Sequence, residues 1–326
     1  MTSEDEMKRQ VSIVIPSYNG KELLSKFLPG VITAMERIRR DNNEIIIIDN
    51  GSTDGTGEFL KGMGKSVTVI TLKGNSGFAR ACNLGIEIAK HDIVILLNND
   101  VEVREDFIYP LLEGFDRDDT FAVVARSLLP HADMRNESIT IGSFEEERFQ
   151  LLRLGLGDEK IEHAQTCTNL YAAGGFSAFH KEKFLKLGGF DSLYFPFYWE
   201  DVDISYRAWK MGWRIIYEPR SVVYHHSHGT ISREYLPEYI DLIYMRNRYL
   251  FIWRNLNDEK IIKAHAENLL QQEKSGWEGK NSLERKAFFE AFRKIRDVMA
   301  RRESIVQESR LMDEEILKIS ANMRLE

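Results

Sequence analysis

"EIIIIDNGSTDGT", residues 44–56, decides the fold: an unbroken run of isoleucines empties into an acid and a Gly/Ser/Asn turn. Apolar residues at successive positions, instead of at alternate ones, mark a parallel strand covered on both faces. The pattern recurs in "VSIVI" (11–15), "SVTVITL" (66–72) and "DIVILL" (92–97). Between these runs lie helix-length segments near 21–40, 54–63 and 77–90, the last with Ala81, Cys82, Gly85, Ile86 and Ala89 at helical spacing. The first hundred residues therefore read as a βαβαβαβ unit, an α/β, Rossmann-like class with a mostly parallel central sheet flanked by helices. Such sheets bind ligands outside the carboxyl ends of their strands. Here those ends carry Ser17 and Asn19, then Asp49 to Asp54, then Asn75, then Asn98, Asn99 and Asp100.

Composition bounds the function. A chain of 326 residues that is 43% hydrophobic can bury one large core or two modest ones. Its formal charge of −7 argues against a nucleic-acid partner, which calls for a basic face. Cys82 and Cys167 are too few and too far apart for a disulfide framework or a zinc cluster, so a reducing compartment is expected. The polar start "MTSEDEMKRQ" reads as a tail over 1–10, and no apolar run approaches the roughly 18 residues that span a bilayer, which points to the cytoplasm.

From about 120 to 230 the strands "FAVVARSLL", "NLYAAGGFSAFH", "WRIIYEP" and "SVVYHH" surround helices at "KEKFLKLGGF" and 200–212, while 131–166 reads as a flexible polar insertion. Residues 256–326 are rich in Lys, Arg and Glu with helical periodicity, a helical C-terminal extension. Just before it, "YIDLIYMRNRYLFIWRNL" (239–256) mixes aromatics with arginines. That composition suits packing on the catalytic domain, assembly into a homo-oligomer through the C-terminal helices, or peripheral contact with the inner face of the cell membrane.

Four groups of residues carry chemistry. Asp49 ends a buried strand, where a carboxylate can accept a hydrogen bond from a nucleotide base, while Ser52 and Asp54 suit helix capping. In "LLNND" (96–100), oxygen ligands at a strand end suit a hard cation, Mg²⁺ or Mn²⁺, bridging to a diphosphate; the same residues also read as a turn. In "YFPFYWEDVDISYRAWKMGW" (194–213), Asp203 is explained by the helix N-terminus and by Arg207 four residues on. Glu200 and Asp201 follow a run of aromatics, whose desolvation raises a carboxyl pKa towards that of a general base; an ordinary surface position is the alternative. "YHHSHGT" (224–230) offers His225, His226 and His228 as metal ligands or as plain polar surface.

Taken together, "VSIVIPSYNG", "IIIIDNGSTDGT", "LKGNSGFARACNLGI", "LLNNDVEV", "AAGGFSAFHKEKFLKLGGFDSLYFPFYWEDVDISYRAWKMGWRI" and "VVYHH" resemble the family-two glycosyltransferases of GT-A fold, especially their rhamnosyltransferase-like branch, over about 11–255. The resemblance implies nucleotide and donor contacts at Pro16, Ser17, Asn19, Asp49, Ser52, Asn75 and Gly77. It lays the family's Asp-x-Asp motif on Asn98, Asn99 and Asp100, with Asp100 and His225 as metal ligands. It makes Asp201, the base, and Glu200 the catalytic pair of the family's Glu-Asp motif, with Gly175, Trp199 and Glu200 at the acceptor. Asn98 departs from the motif by removing a charge, which leaves Asp100 to carry most of the metal. The implied reaction moves rhamnose or another hexose from a nucleoside-diphosphate sugar to a saccharide or lipid-linked acceptor, with inversion, in cell-surface polysaccharide synthesis. A nucleotidyltransferase is disfavoured because "IPSYNGKELL" lacks the Gly- and Arg-rich loop for a triphosphate. A catalytically inactive sugar-nucleotide-binding relative is the remaining alternative.

Overall fold

A computed structural model of the chain describes residues 9–38, 42–132, 134–145, 148–154, 165–226, 230–277 and 282–321. Strands β1 (Val11–Ser17), β2 (Glu44–Asp49), β3 (Thr68–Thr71) and β4 (Ile93–Leu97) run parallel in the order β3-β2-β1-β4. Helices α1 (Lys21–Arg37), α2 (Thr56–Lys61) and α3 (Phe78–Ile88) connect them. Ser17 is level with Asp49, and Asp49 with Thr71, so the polar residues after these strands emerge along one edge of the sheet. The isoleucines 45–48 are all buried, as strands covered on both faces require.

The sheet continues beyond β4 with strands of mixed direction. β6 (Thr120–Leu129), β11 (Phe176–His180) and β12 (Arg214–His225) extend it, β11 lying antiparallel between β4 and β6. "WRIIYEP" and "SVVYHH" join into the single strand β12, whose pairing with β6 is irregular between Glu218 and Val222. Short strands β5 (Val101–Val103), β7 (Arg135–Asn136) and β10 (Cys167–Thr168) pair at its margins. The antiparallel pairing of β5 with β12 sets His225 opposite Val101, next to Asp100.

Two expectations are corrected. Of "NLYAAGGFSAFH" only Phe176–His180 is strand in β11; the residues before it form a loop. The presumed insertion is structured where it is described: after β7 comes a hairpin of β8 (Thr140–Glu145) and β9 (Arg148–Arg153). Its Asn136, Glu137, Ser138 and Thr140 are buried with partners, the Thr140 amide donating to Asn169 Oδ1 at 2.7 Å, and Phe149 is fully buried. A polar sequence looks like surface until its partners, distant in the chain, are known. Residues 155–164 lie outside the described ones.

The remaining helices are α4 (Ile108–Glu113), α5 (Lys181–Lys186), α6 (Glu200–Lys210), α7 (Thr230–Glu234), α8 (Pro237–Asn255), α9 (Glu259–Lys274), α10 (Ser282–Phe292), α11 (Ile295–Glu308) and α12 (Asp313–Ala321). Ala287, Ala291, Val298 and Ile316 from the C-terminal helices belong to the same buried cluster as the sheet. Asp313 at the start of α12 is wholly buried, accepts from Tyr206 Oη at 2.7 Å and pairs with Lys210 Nζ at 2.6 Å. At its other end α12 packs Leu317 against Gly142 of β8 and offers Ser320 Oγ to the Gly142 amide at 3.3 Å. The C-terminal helices thus close the core and support the hairpin. Among the described residues no helix is long and apolar enough to cross a membrane.

Candidate active site

A crevice of about 480 Å³ opens at the carboxyl ends of β1 and β4. Its floor is a set of strand-end loops tied to one another by neutral groups. Asn50 donates from Nδ2 to Asn75 Oδ1 at 3.0 Å and to the Gly77 carbonyl, and its Oδ1 accepts from Ser76 N and Oγ. Asn99 Nδ2 donates to Ser17 Oγ at 2.9 Å. Pro16, Ser17, Asn75, Gly77, Asn98 and Asn99 all line the crevice. Gly175 does too, and a Cβ there would stand 2.5 Å from Asn98 Nδ2, so the backbone must be bare for Asn98 to sit beside it.

Asn19, Asp49 and Ser52 do not line it. The Ser52 amide donates to Asp49 Oδ1 at 3.0 Å, Asn19 N donates to Ser52 Oγ at 2.9 Å, and Asn19 Oδ1 accepts from Thr53 N at 2.8 Å. These three lock the β1 and β2 loops together behind the floor. The Ser52 amide gives the Asp49 carboxylate a partner within its own turn. Asp54 and Ser52, expected as caps, stand outside the N-cap of α2, which is Gly55 without a side-chain cap; Asp54 accepts from Thr56 N and Oγ1, and Ser52 Oγ from Asn19 N.

One wall holds a histidine between two acids. His225 Nδ1 lies 2.6 Å from Glu137 Oε1 and its Nε2 3.4 Å from Asp100 Oδ1. Burial opposes the imidazolium, but the hydrogen bonds and charges of Asp100 and Glu137 outweigh it and push His225 up to about 10. Burial likewise opposes ionisation of Glu137, yet His225, Arg153 and Ser127 hold it below the ordinary carboxyl value. His226 turns elsewhere, stacking on Phe27 with its Nε2 2.9 Å from Glu102 Oε2. His228 lies outside the described residues.

The opposite wall is the start of α6. Tyr198 and Trp199, with φ of 69° and 78°, take left-handed conformations that swing the chain into the helix so that Glu200 and Asp201 face the crevice. Non-glycine residues keep such conformations only when the surroundings hold them. The holder is Asn247 of α8, fully buried, whose Nδ2 donates to the carbonyls of Tyr194, Phe197 and Tyr198 at 2.8–2.9 Å. Asp201 accepts from Val202 N at 2.8 Å and Gly174 N at 3.3 Å and feels the charge of Arg153. Among the described residues, the Glu200 carboxyl has no ion pair and no hydrogen bond from another residue, only one from its own backbone amide. Burial raises both carboxyls: Glu200 is pushed up to about 8 by burial and the charge of Asp201, while at Asp201 the Gly174 and Val202 amides and Arg153 work against burial.

Beside the crevice lies a cleft of about 440 Å³ walled by Leu151, Tyr198, Trp199 and Tyr244. Arg153, Tyr171, Tyr198 and Asp201 line both spaces. Trp199 itself is buried against Phe251 and Tyr244 and meets only the side cleft.

The sequence matches the model of "Glycosyl transferase family 2" over residues 12–188. The chain belongs to this family. A second model, "Glycosyltransferase (GlcNAc)", matches residues 111–298. Among curated relatives, the poly-beta-1,6-N-acetyl-D-glucosamine synthase of Staphylococcus aureus (strain COL) is 28% identical over 213 residues, 64% of this chain and 48% of the relative. That of Staphylococcus epidermidis is 25% identical over 222 residues, 68% of this chain and 50% of the relative. The chain thus spans about half the length of these relatives. Among solved structures, GalNAc-T7 with UDP, GalNAc and Mn²⁺ superposes with a TM-score of 0.61 at 19% identity, covering 93% of this chain and 58% of that one. The mannosyltransferase PcManGT from Pyrobaculum calidifontis, in complex with GDP-Man and Mn²⁺, gives 0.54 at 15% identity, with 97% and 87% covered. These neighbours establish the GT-A fold.

Glu137, Arg153, Tyr171 and Asn247 escaped the sequence reading. Three come from segments read as insertion or strand, and Asn247 from a helix read for its aromatics and arginines. None stands in a local pattern that could have marked it.

Proposed function

We propose that this family-two glycosyltransferase moves a sugar, with inversion, from a nucleoside diphosphate to a hydroxyl of a saccharide or lipid-linked acceptor, at the cytoplasmic side of the cell membrane, in building a surface polysaccharide. The observation that carries the reading is the position of Asp201, which lines both the strand-end crevice and the aromatic cleft beside it. A base between two such spaces can meet a donor on one side and an acceptor on the other. Tyr198, Trp199 and Tyr244 suit a sugar ring, which presents apolar faces to aromatic side chains.

In this reading Asp201 takes the proton of the acceptor hydroxyl, whose oxygen attacks the anomeric carbon opposite the departing diphosphate. Glu200, its carboxyl raised by burial and by Asp201, stands beside the base at the acceptor. One base suffices, because a nucleoside diphosphate leaves without a protein acid, unlike the leaving groups of glycoside hydrolases.

The crevice itself asks for a cation. Its described lining carries the carboxyls Asp100, Glu137, Glu200, Asp201 and Glu234 against the Arg153 guanidinium and the His225 imidazole, so acids outnumber bases where a diphosphate would lie. No group of three or more His, Cys, Asp or Glu among the described residues is arranged to hold a metal alone. Asp100 and His225 would be two ligands of Mg²⁺ or Mn²⁺ and the diphosphate would complete the shell, as is usual for ions bound with substrate phosphates. Bound there, the cation would neutralise charge on the leaving group.

For the donor we favour a UDP-N-acetylhexosamine, on the strength of the GlcNAc-named family model and the poly-N-acetylglucosamine synthases; the rhamnose suggested by the resemblance remains in the test. The test is turnover of UDP-GlcNAc, UDP-GalNAc, GDP-mannose and dTDP-rhamnose with and without chelator. Turnover of one donor, lost in chelator, is expected. Binding of a donor without turnover of any would favour the inactive relative that Asn98 suggests, and full activity in chelator would remove the metal.

A further inference from the structure

Glu137 is not a ligand in the reading above, yet it is one of the most firmly held groups in the crevice. It follows β7, and its backbone amide donates to the Ser127 carbonyl at 3.1 Å. Its neighbours are fixed in turn: Ser138 N donates to Asn136 Oδ1, Ser127 N to Ser138 Oγ, and Asn136 Nδ2 to Tyr217 Oη. The carboxylate is 8% exposed. Its Oε1 takes the Ser127 hydroxyl at 2.9 Å and meets His225 Nδ1 at 2.6 Å, while Oε2 lies 3.4 Å from Arg153 Nη1.

An imidazole that binds a cation through one nitrogen must place its proton on the other, and an acceptor at that second nitrogen fixes both tautomer and ring orientation. Glu137 lies against Nδ1, on the side of the ring away from Asp100, while Nε2 faces Asp100. A carboxylate behind the ring also makes the free nitrogen a stronger donor. That matters here because Asn98 supplies no charge where the motif it resembles has an acid.

We infer that Glu137 is a positioning residue: it holds His225 with the proton on Nδ1 and Nε2 turned towards Asp100, ready for a divalent cation carried by a nucleoside diphosphate. This rests on the metal reading of Asp100 and His225. It assigns a role to the segment after β6, which a relative could not lose without loosening the ligand.

The experiment titrates Mn²⁺ into protein saturated with UDP and follows the free-ion signal by electron paramagnetic resonance. Compared are the wild type, Glu137→Ala, Glu137→Gln, His225→Ala and the double variant Glu137→Ala/His225→Ala. Glu137→Ala should weaken Mn²⁺ binding by about 10- to 100-fold, the usual effect of losing such a partner. Glu137→Gln, which keeps an acceptor, should lose less. Glu137→Ala should cost nothing further once His225 is gone, because the carboxylate acts through the ring. Wild-type affinity in Glu137→Ala, or an additional loss in the double variant, overturns the proposal while leaving the metal reading standing. No Mn²⁺ uptake by the wild type with UDP overturns both. Independently of any fold change in the variants, ¹⁵N spectra of the wild type with Mg²⁺ and UDP should show the His225 proton on Nδ1; a proton on Nε2 overturns the orientation role.

Discussion

Three carboxylates begin α6 within four residues, and the helix treats them in opposite ways. Asp203 faces the end of α8. Tyr194 Oη and Asn255 Nδ2 donate to its Oδ1 at 2.7 and 2.8 Å, and Arg207 Nε reaches Oδ2 at 2.8 Å with Arg254 at 3.3 Å. Burial alone would raise its pKa, but Arg207, Arg254 and these donors outweigh burial and lower it. Glu200, one turn earlier and facing the crevice, is as deeply set and has no such cations, so burial and Asp201 raise it. Burial does not decide whether an acid is structural or reactive; the partners supplied by other elements do. A carboxylate with all its lone pairs engaged holds helices together, and one left short of partners is available to a substrate.

The contrast breaks most visibly at Asp201. Asp201→Asn should lower transfer by a factor on the order of 10² to 10⁴ while donor binding and folding persist. Near-normal transfer by this variant would shift the base role to Glu200. Asp203→Ala should do the converse, costing about 3–5 kcal/mol in urea denaturation because it leaves buried arginines without their counter-charge. A loss under about 1 kcal/mol would mean that Asp191, which also pairs with Arg254 at 2.8 Å, already suffices.

Glu200 sharpens the comparison through pH. Its folded pKa lies above its unfolded one, so the protonated carboxyl favours the fold. That contribution is fully present below the ordinary value of 4.5 and is lost as pH rises through about 8. Melting temperature in the wild type should therefore fall between these values more than in Glu200→Gln, which cannot ionise; parallel curves would show that Glu200 is already charged at neutral pH. The smallest effect is expected at Asn98. Asn98→Asp should strengthen Mn²⁺ binding with UDP by about 1 kcal/mol, roughly fivefold, the worth of one more charge in a watery crevice. Weakened binding would show that the amide has a use that an acid cannot fill.

The parallel half of the fold was legible because each of its strands is local: successive isoleucines at 45–48 need covering on both faces whatever covers them. Its strand-end residues were legible for the same reason, since register brings Ser17, Asp49 and Thr71 to one edge. The pairing of Asp203 with Arg207 also follows from helical spacing alone. What the sequence determined by itself is thus the α/β class, the edge at which the crevice opens and the two acids that face it. Only the tertiary structure decided which polar groups stay in the crevice and which turn away. Asp49 went behind the floor because the Ser52 amide took it, and His225 was chosen over His226 because β12 pairs with β5 beside Asp100. Glu137 reached the histidine from 88 residues away, and Asn247 reached the aromatic loop from 49 to 53 residues away. Contacts of that separation leave no period and no spacing in the chain, because hydrogen-bond partners are set by where elements pack and not by where they stand in the sequence.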